Sequence, residues 1–476
     1  MRKTACLTSV LILLLLAGCA VNPVTGKKEI SLISETGEIS MGKETDVQIG
    51  QEYGFYSDPE LSKYVTSVGM AMVPHTHRPN LAYHFAVLDS PVVNAFAAPG
   101  GYIYVTRGIL ALMSSESELA AVLGHELGHV NARHSVQKLS QMLLVQVGLA
   151  VGSAISDTFA KIAGVAGIGV QLLFLKFSRD DERQADALGV EYARKGSFNS
   201  GEMVSFFTAL EKYGDLSGGS HSLPGFLSTH PLTGERIKNV QAMITASDTS
   251  LPKKREPYMQ QIENVVYGDD PRQGYVEGNV FYHPGMRFAF NVPAGWKLQN
   301  TPSQVTMAPQ NGNAAVILQA EKSSEDLAAF AKKKAAGITG SQFLSDQNLT
   351  INGMPACSQI YNVVQQDKDT LKMRLTCFQK NGMVFYFSSL SKALDFGSYD
   401  STFRAVVSSF VELRDANHLN RQPQRVRILK ADGGASLKAI FTSNGVKNEL
   451  WPTLAVANGL DVNGIPEKNQ LVKFVK

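Results

Sequence analysis

Two histidines and a glutamate in Leu123-Gly124-His125-Glu126-Leu127-Gly128-His129 are the residues best suited to chemistry. On a helix, positions four apart differ by about 40° of azimuth, so both imidazoles leave one face. That pair suits two nitrogen ligands of a tetrahedral zinc ion. Glu126 lies about 100° from His125 and about 60° from His129, beside the ion and off the ligand row. A carboxylate so placed can take a proton from a water attacking a peptide carbonyl, which makes Glu126 the expected general base. At this chain's His and Glu frequencies a chance match is on the order of 0.01. The bland alternative is a pair of satisfied core histidines.

A catalytic zinc takes a third protein ligand and keeps one position open. The expected donor is Glu182, in Ser178-Arg179-Asp180-Asp181-Glu182-Arg183-Gln184-Ala185-Asp186. Glu182 would bind Zn2+, one per chain. Asp186, at i+4 on the same face, would accept the outer N–H of a ligating histidine and set its tautomer. Asp181 competes for the ligand place, and alone the run reads as a solvated acidic face. His230, in Ser228-Thr229-His230-Pro231, would either hydrogen-bond the oxyanion or transiently take the open metal position. A lone loop histidine is ordinarily a surface residue. His134 stands about 140° around the helix from His129, which disfavours it as a ligand. His75, His77, His221, His283 and His418 show no ligand spacing.

The elements that must position these residues can be traced in the pattern. Helices are expected around Ile39 to Ile49 and Leu61 to Met72. Strands are expected at Tyr83–Leu88, Val92–Phe96 and Tyr102–Val105, the last two joined through Pro99-Gly100-Gly101. The Asn94 to Val105 hairpin is the expected substrate-binding edge, with Asn94 at its start, although an interior place fits equally. Ser115 and Glu118 fit a capping box opening the histidine helix. Residues 139–156 and 162–175 carry no charge; buried or membrane-skimming helices fit them better than a span. Helices follow at 179–195 and 201–213. After Val240 two polar breaks, 252–257 and 268–271, precede alternating strands and helices.

The chain has 476 residues, 44% of them hydrophobic, and a formal charge of +3. That charge falls further once Arg2 and Lys3 leave with a processed N-terminus, which implies no polyanion partner and argues against a nucleic-acid-binding role. Arg2-Lys3, the apolar run Val10–Leu16 and small residues at 17–18 read as a secretory signal. Of the four cysteines, Cys6 lies in that signal, and Cys357 and Cys377 are free to pair as a disulfide in an oxidising compartment.

Four groups of residues carry a resemblance. Leu16-Ala17-Gly18-Cys19 resembles the bacterial lipoprotein box, which implies lipidation of Cys19, and Ala20 resembles outer-membrane sorting. Asn22–Gly26, Asn94–Gly101, His125–His134, Glu182–Asp186 and Thr229–Pro231 resemble the membrane-associated zinc peptidases of the HtpX, CAAX prenyl protease and mitochondrial Oma type. The nearest in pattern are BepA-like bacterial periplasmic members. The resemblance spans about residues 20–240, and it implies a gluzincin in which Glu182 completes the zinc site, Asp186 supports it and His230 acts near the metal. The tetratricopeptide repeats of BepA-like proteins have no counterpart here. Met286–Leu413 looks weakly like a Mog/PsbP-like α/β fold, and 426–476 faintly like a LysM unit.

These readings predict an α+β chain: signal peptide 1–18, tether 19–30, a mainly helical zinc metallopeptidase domain with a small β-sheet at 31–265, an α/β domain at 272–413 and a small LysM-like unit at 426–476. The expected activity is zinc-dependent endopeptidase cleavage of misfolded or misassembled envelope proteins, by a periplasmic enzyme lipid-anchored to the outer membrane. The competing reading is a binding module with a latent site, whose C-terminal units hold peptidoglycan or a protein partner.

Overall fold

The computed structural model describes residues 19–150, 176–216, 225–364 and 370–476. The expected signal peptide, most of the two charge-free stretches and His221 lie outside the described residues. No described helix is long and apolar enough to cross a membrane. The chain forms two compact units, one of residues 1–269 with 424–476 and one of 270–423.

Unit 1 opens with a short antiparallel pair, β1 (Cys19–Val21) and β2 (Lys28–Ile30). The segment expected as a tether is thus folded. Asn22 closes its turn by accepting from the amides of Val24 and Thr25 and donates to the carbonyl of Ala132. Helices α1 (Glu35–Glu52) and α2 (Pro59–Met72) follow; Asp58 caps α2. Leu61, Val65, Val68 and Met72 recur at helical spacing, and all four are buried.

Strands β3 (His84–Leu88), β4 (Ala95–Ala98) and β5 (Tyr102–Thr106) form a sheet in the order β3-β5-β4, β3 parallel and β4 antiparallel to β5. The second strand begins three residues later than the pattern suggested: Asn94 N–H donates to the Thr106 hydroxyl, and the backbone ladder stops at Ala95 opposite Val105. Helix α3 (Arg107–Leu112) leads into α4 (Glu116–Ala132), which carries the histidine motif and is buried along its whole length. Ser115 caps α4 by accepting from the Glu118 amide, but the Glu118 carboxylate accepts from Ser114 N–H, so the expected reciprocal bond shifts by one residue. Helix α5 begins at His134, after Arg133 turns left-handed at φ 57°.

Helix α6 (Arg179–Lys195) packs across α4. A Cβ on Gly128 would stand 2.9 Å from both the Cα and the carbonyl oxygen of Ala185, and one on Gly189 would stand 2.9 Å from His125 N. Only glycine permits this backbone approach, which brings the histidine face within reach of Glu182. Helices α7 (Glu202–Leu216), α8 (Phe226–Thr229), α9 (Gly234–Met243), α10 (Ala246–Thr249) and α11 (Arg255–Ile262) complete this part. The expected polar break at 252–257 is therefore half helix. Tyr258, Met259 and Ile262 lie fully buried in the main core beside Leu119 and Leu123.

Unit 2 holds β6–β8 (Tyr275–Glu277, Val280–His283, Phe288–Asn291), β9–β11 (Trp296–Asn300, Val305–Pro309, Ala314–Lys322), α12 (Leu327–Ala336), β12–β15 (Ser341–Ile351, Met354–Val364, Thr370–Lys380, Met383–Lys392), α13 (Phe396–Ser408), β16 (Val411–Glu412) and α14 (Ala416–Leu419). Its larger sheet has seven strands, its smaller four. Every described strand pair in it is antiparallel, and helices alternate with the strands as the sequence pattern suggested. Connections as short as Ile351 to Met354 and Lys380 to Met383 make hairpins and are too short for a parallel crossover.

The chain then returns to unit 1. The last segment, β17 (Val426–Lys430), α15 (Leu437–Ser443), α16 (Trp451–Ala457) and β18 (Leu471–Val475), pairs β17 with β18 and has a small core of its own around Leu437, Phe441 and Val472. Val426 and Ala457 belong to the main core of unit 1. The segment expected as a separate unit thus packs as part of the first.

Candidate metal centre

His125 and His129 leave α4 side by side, with Nε2 atoms 3.1 Å apart. From α6, Glu182 reaches both, Oε2 lying 3.6 Å from His125 Nε2 and Oε1 3.6 Å from His129 Nε2. His230, at the end of α8, closes the group: its Nδ1 is 2.9 Å from Glu182 Oε1 and 3.3 Å from His125 Nε2. One ligand atom from each of the four residues lies within 4.8 Å of all the others, and all four side chains are buried.

The outer nitrogens explain the inner ones. His125 Nδ1 faces Asp186 Oδ1 at 2.9 Å, an oxygen that can only accept from it. His129 Nδ1 faces His134 Nδ1 at 2.9 Å, and His134 Nε2 in turn faces Gln184 Oε1 at 2.9 Å. His134 therefore donates to Gln184 and accepts from His129. With each Nδ1 turned toward an outer neighbour, both histidines turn Nε2 toward one point, beside a carboxylate. Lone pairs so converged repel unless a cation lies between them, and this donor set fits a divalent ion that binds nitrogen and oxygen.

Burial, then the neighbouring His125 and His134, hold His129 well below its ordinary pKa, which keeps it neutral as a ligand must be. Burial alone would raise Glu182, but His230, His125 and Arg236 outweigh it and hold the carboxylate low. Burial would raise Asp186 too; hydrogen bonds from Arg236 and His125 reverse that. Glu126 moves the other way. Burial raises its pKa despite His230 and His125, and neither of its oxygens has a hydrogen-bond partner among the described residues. A carboxylate stripped of donors is a stronger base, and Glu126 Oε1 stands 3.7 Å from His230 Nε2 at the edge of the cluster.

Asp181, the competitor for the ligand place, is spent elsewhere: it closes the capping box of α6 by accepting from Ser178 N–H. Phe177 lies 4.1 Å from the His129 ring and Phe226 stacks 4.6 Å from His230, two apolar walls that thin the water around the cluster. Asn94 sits at the mouth of β4, an edge strand of its sheet, with its side-chain oxygen buried and without a partner among the described residues. The next residue but one before it, Val92, and Val93 abut Gly225, the residue that opens α8 toward His230.

Two residues of the centre escaped sequence reasoning. His134 lies after the left-handed Arg133, so its azimuth cannot be counted along α4, and it comes back to orient His129. Nothing in the spacing of charges or histidines points to Arg236. Its guanidinium, 4% exposed, spans Glu182 Oε2 at 2.7 Å and both Asp186 oxygens at 2.7 and 2.8 Å. It also donates to the Pro231 carbonyl at 3.1 Å, tying the His230 loop to the same carboxylates. The available signal was a charge four residues before buried Val240, on the apolar face of α9.

The cluster lies within residues 59–244, which match the family model Peptidase family M48. Over 228 residues the chain is 29% identical to the beta-barrel assembly-enhancing protease of Escherichia coli strain K12, covering 46% of each. It is 28% identical over 223 residues to the mitochondrial metalloendopeptidase OMA1 of Schizosaccharomyces pombe, covering 46% of this chain and 64% of that one. The chain spans about half the length of the first of these relatives. Among solved structures, cyanobacterial PsbP from Synechocystis matches 29% of this chain and 96% of its own, at 13% identity and TM-score 0.26.

Proposed function

We propose that the chain is a zinc-dependent endopeptidase of the bacterial cell envelope that hydrolyses misfolded or misassembled proteins. The observation that carries this is the convergence of His125, His129 and Glu182 next to an unpartnered, buried Glu126. His125, His129 and Glu182 would hold the ion, giving a gluzincin; two imidazoles and one carboxylate in a closed cluster favour zinc over the harder cations. A divalent ion bound there supplies Lewis-acid polarisation of the scissile carbonyl and of the attacking water.

The chain's own residues do the rest. Glu126 takes the proton from the water as it attacks and then delivers it to the departing amine. Asp186 and His134 hold the two imidazoles in the tautomers the site needs. His230 stands as a fourth donor in this arrangement, so a substrate carbonyl reaches the centre only when His230 swings aside, and it can then turn its N–H to the oxyanion. The edge strand β4, with Asn94 at its start, is where an extended substrate would add its backbone.

Envelope location rests on the signal and lipoprotein-box pattern at 1–19, with Cys19 as the lipid attachment to the outer membrane. The name of the E. coli relative supports a role near envelope proteins. The α15–α16 pair between β17 and β18 supports a LysM-like, peptidoglycan-binding reading of 426–476.

The test is Glu126→Gln in the chain starting after Cys19. One zinc per chain should remain while cleavage of unfolded casein falls by about 10²–10⁴-fold. Parent-like cleavage by the variant, or a parent indifferent to chelator, would end the enzyme reading.

A further inference from the structure

The last strand of the chain sends a lysine into the body of unit 1. Lys473, on β18, is 1% exposed. Its Nζ donates to the carbonyls of Ala111, Leu112 and Met113, the first two at 3.0 and 3.1 Å. These are the terminal carbonyls of α3, which a helix end leaves without intrahelical donors. Burial and the neighbouring Arg255 push its pKa well below the ordinary lysine value against the pull of Glu118, and the hydrogen bonds themselves carry the contact.

The two residues that follow, Ser114 and Ser115, open α4, and the same segment grips them. Ser114 Oγ donates to the Ala457 carbonyl at 2.8 Å. Arg255 bridges the two stretches, donating to the carbonyls of Ser114 at 3.4 Å and Leu471 at 3.2 Å. Asn458 pins the lysine's own backbone, accepting from Lys473 N–H at 2.8 Å and donating to its carbonyl at 2.9 Å. In the first turn of α4, Glu118 accepts from Ser114 N–H at 2.5 Å.

We propose that Lys473 is a positioning residue for the metal centre: through the 111–115 connection it sets the height and rotation of α4, so that His125 and His129 meet Glu182. The proposal rests on the metallopeptidase reading of that centre. Without the lysine Nζ, these buried carbonyls must admit water or rewind the connection to find donors. Either change moves the start of α4. Its glycine contacts with α6 leave no slack to absorb the shift, because Gly124 and Gly128 already lie against the backbone of Gly189 and Ala185. The C-terminal segment is therefore a working part of the peptidase unit.

The experiment uses the full chain after Cys19 with Lys473→Met, and cobalt(II) as the bound probe, since its visible spectrum reports ligand geometry. The variant should show an altered cobalt band, about tenfold weaker cobalt binding and a kcat on casein lowered about tenfold at little-changed KM. Amide exchange should quicken in residues 114–122. Ser114→Ala should move the same readouts less far, and it decides the matter if the lysine variant does not fold. A cobalt spectrum and 114–122 exchange identical to the parent's would overturn the proposal. A parent that binds cobalt yet cleaves nothing would sink the peptidase reading while leaving the spectral comparison decisive.

Discussion

At the metal centre, two kinds of residue do different work. His125 and His129 leave one face of a helix and Glu126 stands beside that face because the spacing puts them there. Arg236 does its work only in the folded chain, where one guanidinium serves Glu182, Asp186 and the Pro231 carbonyl. Fully desolvated carboxylates this close repel unless a fixed cation lies between them. Arg236→Met is expected to weaken metal binding by about 10–100-fold, with the fold retained. Competition against a chromophoric chelator measures this, and an unchanged affinity would show that the arginine only fills space.

At the scale of elements, the decisive feature is the α4–α6 crossing, where glycines let two backbones touch and bring a carboxylate from one helix to the histidines of the other. The left-handed Arg133 is a second such feature. By ending α4 there, it lets His134 return against His129, and it is itself anchored by Glu38 at 2.8 Å. In unit 2 the seven-stranded sheet sets Cys357 directly opposite Cys377 on β13 and β14, both buried free thiols in this structure. Burial pushes the Cys377 thiol up to about 12, so neither is poised as a reactive thiolate. If the chain is exported, as proposed, this register would admit a cross-strand bridge worth ~3 kcal/mol for a loop of about 20 residues. In protein secreted to the periplasm, alkylation after denaturation should label neither cysteine until a reductant is added. Labelling of both beforehand would exclude the bridge.

At the scale of the molecule, unit 2 is an insertion into unit 1. The chain leaves and returns at adjacent points: Tyr267 N–H donates to the Gln424 carbonyl at 2.8 Å, and Asn264 N–H to that of Val426 at 2.8 Å. A deletion running from 272 to the C-terminus thus removes Lys473, Val426 and Ala457 along with the accessory sheet, and cannot test what that sheet does. Replacing 271–422 with a short flexible linker should leave the unfolding temperature of unit 1 within a few degrees. Ending the chain at 423 should lower it by ~10 °C or abolish cooperative unfolding, because several kcal/mol of buried contacts go with it. Equal melting of the two chains by calorimetry would mean the last segment is an appendage after all.

Much of the centre was legible without coordinates because it is written in short-range geometry. The histidine pair and its glutamate depend on one helical turn, and α6 announces itself by its own cap and periodicity. Asp181 and Glu182 could not be told apart that way, since both lie in the first turn; the capping bond took one and left the other to face α4. His134 hides behind a change of backbone hand, Arg236 behind a loop of no regular period, and Lys473 lies far along the chain from the carbonyls it holds. Sequence alone determined which groups could bind a metal and move a proton, because those relations are local. Which carboxylate, which supporting cations and which distant strand complete the site was decided only when packing brought remote backbone and charge into contact.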